Sequence, residues 1–208
     1  MSQFDKLSQE LQKLVPFRIR YKDESWEMQL LNLFVLWFCP SFLTNYTTVI
    51  GSTIYFPNRS YIHQHPESAM RTLAHEVVHL ADASKWSFPL FSAAYLFPQI
   101  LVLGVLSFPL LGFWALLFLL FAFPIPAPFR FYFESRAYAL DLLTTPELNR
   151  KEVLHRVSKH FGSWDYYRMY PFPDQVQSSI QHWADKAESG EDKTLLKVLL
   201  VYELVSEA

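Results

Sequence analysis

The sequence predicts a mainly α fold with a small β element (α+β). Helical spacing of apolar residues recurs through most of the chain. Only two segments break it. Phe17-Arg18-Ile19-Arg20-Tyr21 alternates apolar and basic residues, as a half-buried strand or an extended linker does. Thr47 to Pro57 is rich in β-branched and aromatic residues and is interrupted by Gly51, which reads as two short strands or one kinked strand.

Composition narrows the class. A length of 208 residues fits one domain with an elaboration. We expect a single domain over 1–208, an apolar insertion over 88–129 and a helical extension over 146–208. A net charge of −2 gives no electrostatic footprint for nucleic acid, so none is expected as a partner. One cysteine, Cys39, excludes an intramolecular disulfide framework and a Cys-rich metal site. It lies in an apolar run, where a buried small hydrophobe is expected. Met1 to Lys6 leads into a charged amphipathic segment rather than a secretory signal, so an intracellular location is expected.

In chain order, residues 4–15 read as an amphipathic helix with Phe4, Leu7, Leu11 and Leu14 on one face, stopped by Pro16. Ser25 is a candidate N-cap for a helix from Trp26 to Phe38 that ends near Cys39-Pro40. Its apolar part is too short to cross a bilayer of ~30 Å, so a buried core helix is expected. A long helix follows over about 66–84. Pro66 suits its first turn, and Leu73, Val77 and Leu80 form its apolar stripe.

That helix carries His75-Glu76-Val77-Val78-His79, an HExxH motif. Residues four apart share a helix face, so both imidazoles can reach one zinc ion while Glu76 faces the water that the ion activates. A Glu so placed accepts the proton of that water during attack on a carbonyl. The plainer alternative is two histidines on an ordinary helix.

Residues 86–129 carry no charged side chain or histidine and are rich in Leu and Phe. Gln99 to Phe123 is long enough for one membrane span. Pro109 and Gly112 lie near the middle, where a bend is easiest. Arms of about 90–107 and 110–123 would be roughly 27 and 21 Å long as α-helices. Contact with a membrane or with a partner protein through 88–129 is therefore expected. Next, Arg130 to Leu143 reads as a helix with Glu134, Tyr138 and Asp141 on one face. A charged helix over about 146–160 and two amphipathic helices over about 174–188 and 191–206 follow, the last two separated by Ser189-Gly190.

A catalytic zinc takes three protein ligands and keeps a position open. The metzincin pattern needs a His where this chain has Lys85, and a Gly where it has Asp82, so that class is excluded. Together with His75 and His79, Glu134-Ser135-Arg136-Ala137 resembles a gluzincin active site, in which a Glu on a later helix is the third ligand. The apolar hairpin between the two ligand helices is similar in order to CAAX-type prenyl-protein endopeptidases and the related bacterial heat-shock membrane proteases. Thr53-Ile54-Tyr55-Phe56-Pro57, Leu73-Ala74-His75-Glu76 and Glu134 to Tyr138 also resemble small HExxH proteins encoded by tailed bacteriophages, grouped as minigluzincins. The resemblance covers residues 25–143.

This resemblance implies a minimal zincin core of a short sheet, an HExxH helix and a Glu helix, with the apolar hairpin inserted. It implies His75, His79 and Glu134 as zinc ligands and Glu76 as general base. It implies a metallopeptidase acting on a peptide or protein, with an edge strand before the motif helix that pairs with extended substrate. Tyr138 departs from the membrane-protease pattern, which has an Asp there to hold a ligand His. Asp82 or Asp141 could substitute, and Tyr138 could stabilise an oxyanion or simply pack. If the three ligands share one ion, residues 85 and 130 lie on the same side of any membrane. The apolar run then crosses twice, dips in and returns, or stays out of lipid. The competing expectation is a virion- or membrane-associated structural protein on the same scaffold, with zinc structural or absent.

Overall fold

The computed structural model describes residues 2–35 and 42–207. Cys39 and the expected helix end at Cys39-Pro40 lie outside the described residues. The chain is mainly helical with one three-stranded sheet, as expected. The elements are α1 (Gln3–Leu14), β1 (Arg18–Tyr21), α2 (Trp26–Val35), α3 (Phe42–Asn45), β2 (Thr48–Ile50), β3 (Thr53–Phe56), α4 (Arg59–Gln64) and α5 (Pro66–Trp86). There follow α6 (Phe88–Tyr95), the 3₁₀ segment η1 (Gln99–Ser107), α7 (Phe108–Leu111), the 3₁₀ segment η2 (Gly112–Ala122) and α8 (Pro128–Leu143). The chain closes with α9 (Glu147–Phe161), the short 3₁₀ turn η3 (Trp164–Tyr166), α10 (Pro173–Glu188) and α11 (Lys193–Ser206). It divides into two compact units, Met1–Ala81 with Ala187–Ala208, and Asp82–Lys186.

In the first unit, α1 starts on a capping box. The Ser2 hydroxyl accepts from the Asp5 N–H at 3.1 Å, and the Asp5 carboxylate accepts from the Ser2 N–H at 3.0 Å. Phe4, Leu7 and Leu11 are buried, and α1 packs against α11. Leu14 lies on the same side but is the last residue of the helix. It is exposed, and Ser8 is buried, so the packed stripe runs along 4, 7, 8 and 11.

The two-strand reading of residues 47–57 holds. Gly51, at φ +57°, takes the left-handed conformation the turn needs, and β2 runs antiparallel to β3. β1 pairs parallel to the other side of β3, giving the order β1-β3-β2. The strand just before the motif helix is therefore central rather than an edge. β1 and β2 are the edge strands, the positions at which strand addition takes place. Ile54 and Phe56 are fully buried, and Phe56 meets Phe4 edge to face at 5.5 Å.

α2 is not a buried core helix. Met28 is buried, but Trp26, Leu30 and Leu33 are exposed. Its apolar residues go round the helix, and among its described side chains Met28 is the buried one. The Ser25 hydroxyl donates to the Tyr21 carbonyl at 2.7 Å, while its own carbonyl accepts the first helical N–H groups. α5 is the opposite case. Leu73, Ala74, Val77, Val78 and Leu80 are all fully buried, so this helix is enclosed on more than its apolar stripe.

In the second unit, the apolar run doubles back. Gln99–Ala122 is long and apolar enough to cross a membrane by length and composition. It is not one rod, because η1 packs along η2, with α7 and Gly112 (φ +54°) forming the turn. A Cβ on Gly104 would stand 2.4 Å from the Phe118 ring, so glycine is what lets the arms close. The arms are 3₁₀ rather than α-helical and shorter than the expected 90–107 and 110–123. Gln99 ties the root by donating to the Ile125 carbonyl at 2.7 Å.

Phe56 spans the contact between sheet and α1. Phe56→Ala is expected to lower stability by about 3–5 kcal/mol, read as a fall in the urea midpoint.

Candidate metal centre

α5 presents His75 and His79 one turn apart, with ring centroids 5.0 Å apart and planes at 75°. Both rings are buried, and Glu76 between them is half-buried. The i, i+4 spacing on a helix enclosed by its own apolar residues explains why two imidazoles leave solvent together.

α8 brings Glu134, which is 2% exposed. Its carboxylate is held by two phenols. Tyr95, the last residue of α6, donates to Oε1, and Tyr166 of η3 donates to Oε2 at 3.2 Å. The Tyr138 hydroxyl lies 3.2 Å from that of Tyr166. Tyr166 has one proton and gives it to Glu134, so Tyr138 is the donor in that pair. Burial, and after it the Glu134 carboxylate, push the pKa of Tyr138 and Tyr166 well above the usual tyrosine value, which keeps both phenols neutral donors. The Arg130 guanidinium lies 5.2 Å from the Tyr95 ring centroid and 5.0 Å from that of Tyr166, and so backs both rings with positive charge.

The ligand atoms of His75, His79 and Glu134 all lie within 4.8 Å of one another, and all three residues are buried. The group could hold a metal ion. Two imidazoles and one carboxylate fit a zinc-type donor set that leaves a fourth position open. A carboxylate offers about four lone-pair sites, and the two phenols use two of them. The donor set alone does not select one divalent transition metal over another.

Asp82, three residues past His79, is claimed by Arg136. Nη1 donates to Oδ1 at 2.5 Å, and both side chains are buried. The charge that the resemblance places one turn after Glu134 is thus absent from Tyr138, while Asp82 belongs to an ion pair with α8. Asp141 is half-buried, and its carbonyl accepts from the Thr145 hydroxyl at 2.7 Å.

Sequence reasoning missed Tyr95, Tyr166, Arg130 and Arg136. Tyr95 is the one hydroxyl-bearing aromatic in the uncharged run, and Arg136 is the cation of α8 that stands two residues after Glu134. Those oddities are the signals that were there to read. Tyr166 gives no local signal in its aromatic loop. No family profile, curated protein or solved structure matches the chain.

The buried ion pair makes a stability prediction. Arg136→Ala leaves Asp82 without this partner and is expected to cost about 3–5 kcal/mol by urea unfolding. The Asp82→Ala, Arg136→Ala double variant should lose less than the sum of the two single losses.

Proposed function

We propose that the chain is a zinc-dependent metallopeptidase of the gluzincin type that associates with a membrane through residues 86–129. The observation that carries this reading is the buried His75, His79 and Glu134 group, joined to a Glu at the second position of HExxH. A bound zinc ion supplies Lewis acidity and brings the pKa of an attacking water toward ~7.

The chain's own residues do the rest. His75, His79 and Glu134 would hold the ion, and Tyr95 and Tyr166 orient the Glu134 carboxylate. Glu76 takes the proton of the attacking water and passes it to the leaving amine. The edge strands of the sheet, β1 and β2, offer backbone groups to an extended peptide. The apolar run supplies the membrane contact. A structural role at a membrane or in a virion is the competing reading, and the exposed apolar hairpin is the observation that favours it.

Elemental analysis of purified protein is expected to give about one zinc per chain, falling below half an equivalent in His79→Ala. Glu76→Gln should keep its zinc and lose 10²-fold or more of its hydrolysis of an unfolded protein. Full zinc with no hydrolysis by the parent chain would favour the structural reading. Tyr166→Phe is expected to weaken zinc affinity about 10-fold or more, measured by competition with a chromogenic chelator.

A further inference from the structure

We infer that the η1–η2 hairpin enters a bilayer from one side and turns back inside the hydrocarbon, without reaching the far surface. The inference rests on the membrane part of the proposed function and specifies how the contact is made.

Exposed apolar groups surround most of the hairpin. A 3₁₀-helix has three faces, because residues i and i+3 eclipse. In η2 one face, Ala115, Phe118 and Phe121, turns inward, and Phe118 lies against Gly104 of η1. The other two faces, 113-116-119 and 114-117-120, are exposed throughout and carry only Phe, Trp and Leu. On η1, Leu103 and Leu106 are exposed in the same way. A protein partner covers one side of a helix, whereas a surface apolar around most of its circumference matches a surrounding apolar solvent.

The tip is apolar as well. A hairpin that crossed would end in water and need polar residues there. This one ends in Phe108-Pro109-Leu110-Leu111-Gly112-Phe113-Trp114, with Leu110 88%, Phe113 81% and Trp114 75% exposed. The one polar side chain nearby, Ser107, donates to the Gly104 carbonyl at 2.6 Å. Two of the tip's N–H groups find partners within the hairpin, the Phe108 N–H on the Val105 carbonyl and the Gly112 N–H on the Phe108 carbonyl. Internal partners of this kind are what hydrocarbon requires of a turn.

At ~2.0 Å per residue, nine- and eleven-residue arms extend about 18 and 22 Å, past the midplane of a ~30 Å core but short of its far side. The hairpin's approach is marked by Lys85 and Trp86, both exposed, which suit a headgroup and an interfacial position respectively.

The test uses the full chain with Cys39→Ser and Leu110→Cys, labelled with an NBD fluorophore and mixed with phosphatidylcholine–phosphatidylglycerol vesicles. The expected result is co-flotation with vesicles and protection of the label from dithionite, whether the reagent is added outside or trapped in the lumen. Lipids brominated near the acyl ends should quench the label more than lipids brominated near the headgroup. Absence of flotation overturns the membrane reading itself. Flotation with reduction by luminal dithionite overturns only the one-sided insertion, since the tip has then crossed. Flotation with reduction from outside overturns it in the other direction, because the tip has then stayed in water. The Leu110→Asp, Phe113→Asp variant should retain its helical circular dichroism and lose at least 10-fold in vesicle binding. Unchanged binding would remove the tip from the contact.

Discussion

The ion pair between Asp82 and Arg136 is the constraint on which the second unit depends. It joins the turn after His79 to the turn that carries Glu134, with an N–O distance of 2.5 Å and both groups out of solvent. Desolvating two charges is expensive, and an apolar pair of equal volume often serves stability as well or better. What such a pair supplies is a single allowed register. An apolar contact between the end of α5 and α8 could slide by a turn, whereas a paired charge cannot without leaving its partner buried alone. Residues two and three positions from the metal-ligating candidates are where a fixed register is most useful.

Around Glu134 the same logic is built from neutral donors with one cation behind them. Two phenols converge on one carboxylate, a third phenol supports one of them, and a guanidinium lies over two of the rings. Each phenol holds its proton because burial and the nearby carboxylate both oppose its loss. The carboxylate is thus oriented by donors that do not neutralise it.

Much of this was legible in the sequence, and the parts that were not share a physical reason. The α5 helix, its buried stripe, α8 and the last two helices follow from local periodicity, which a linear reading captures. The strand order does not. Thr53 to Phe56 reads as a strand, but nothing in it announces that Arg18 to Tyr21 will pair on its far side and make it central. The hairpin was legible as a fold-back at Pro109 and Gly112, but not as 3₁₀ arms, because a run of apolar residues does not by itself distinguish the two winding patterns. For α2, apolar content was mistaken for burial, since the sequence does not say which sides have neighbours. At the candidate centre, His75, His79 and Glu134 were each nameable. Tyr95, Tyr166 and Arg136 join them only through contacts spanning dozens of residues.

The bond from Tyr95 to Glu134 has a consequence beyond orientation. Tyr95 ends α6 and stands four residues before Gln99, where the apolar hairpin begins. The root of the hairpin and a metal-ligating candidate therefore share one hydrogen bond. Free energy stored in that bond is common to both ends. An event at the hairpin that strengthens or weakens it changes the affinity of the carboxylate for a cation, and a cation on the carboxylate changes the cost of moving the hairpin by the same amount. This linkage is reciprocal, and its size is bounded by a single charge-assisted hydrogen bond, about 1.5–3 kcal/mol.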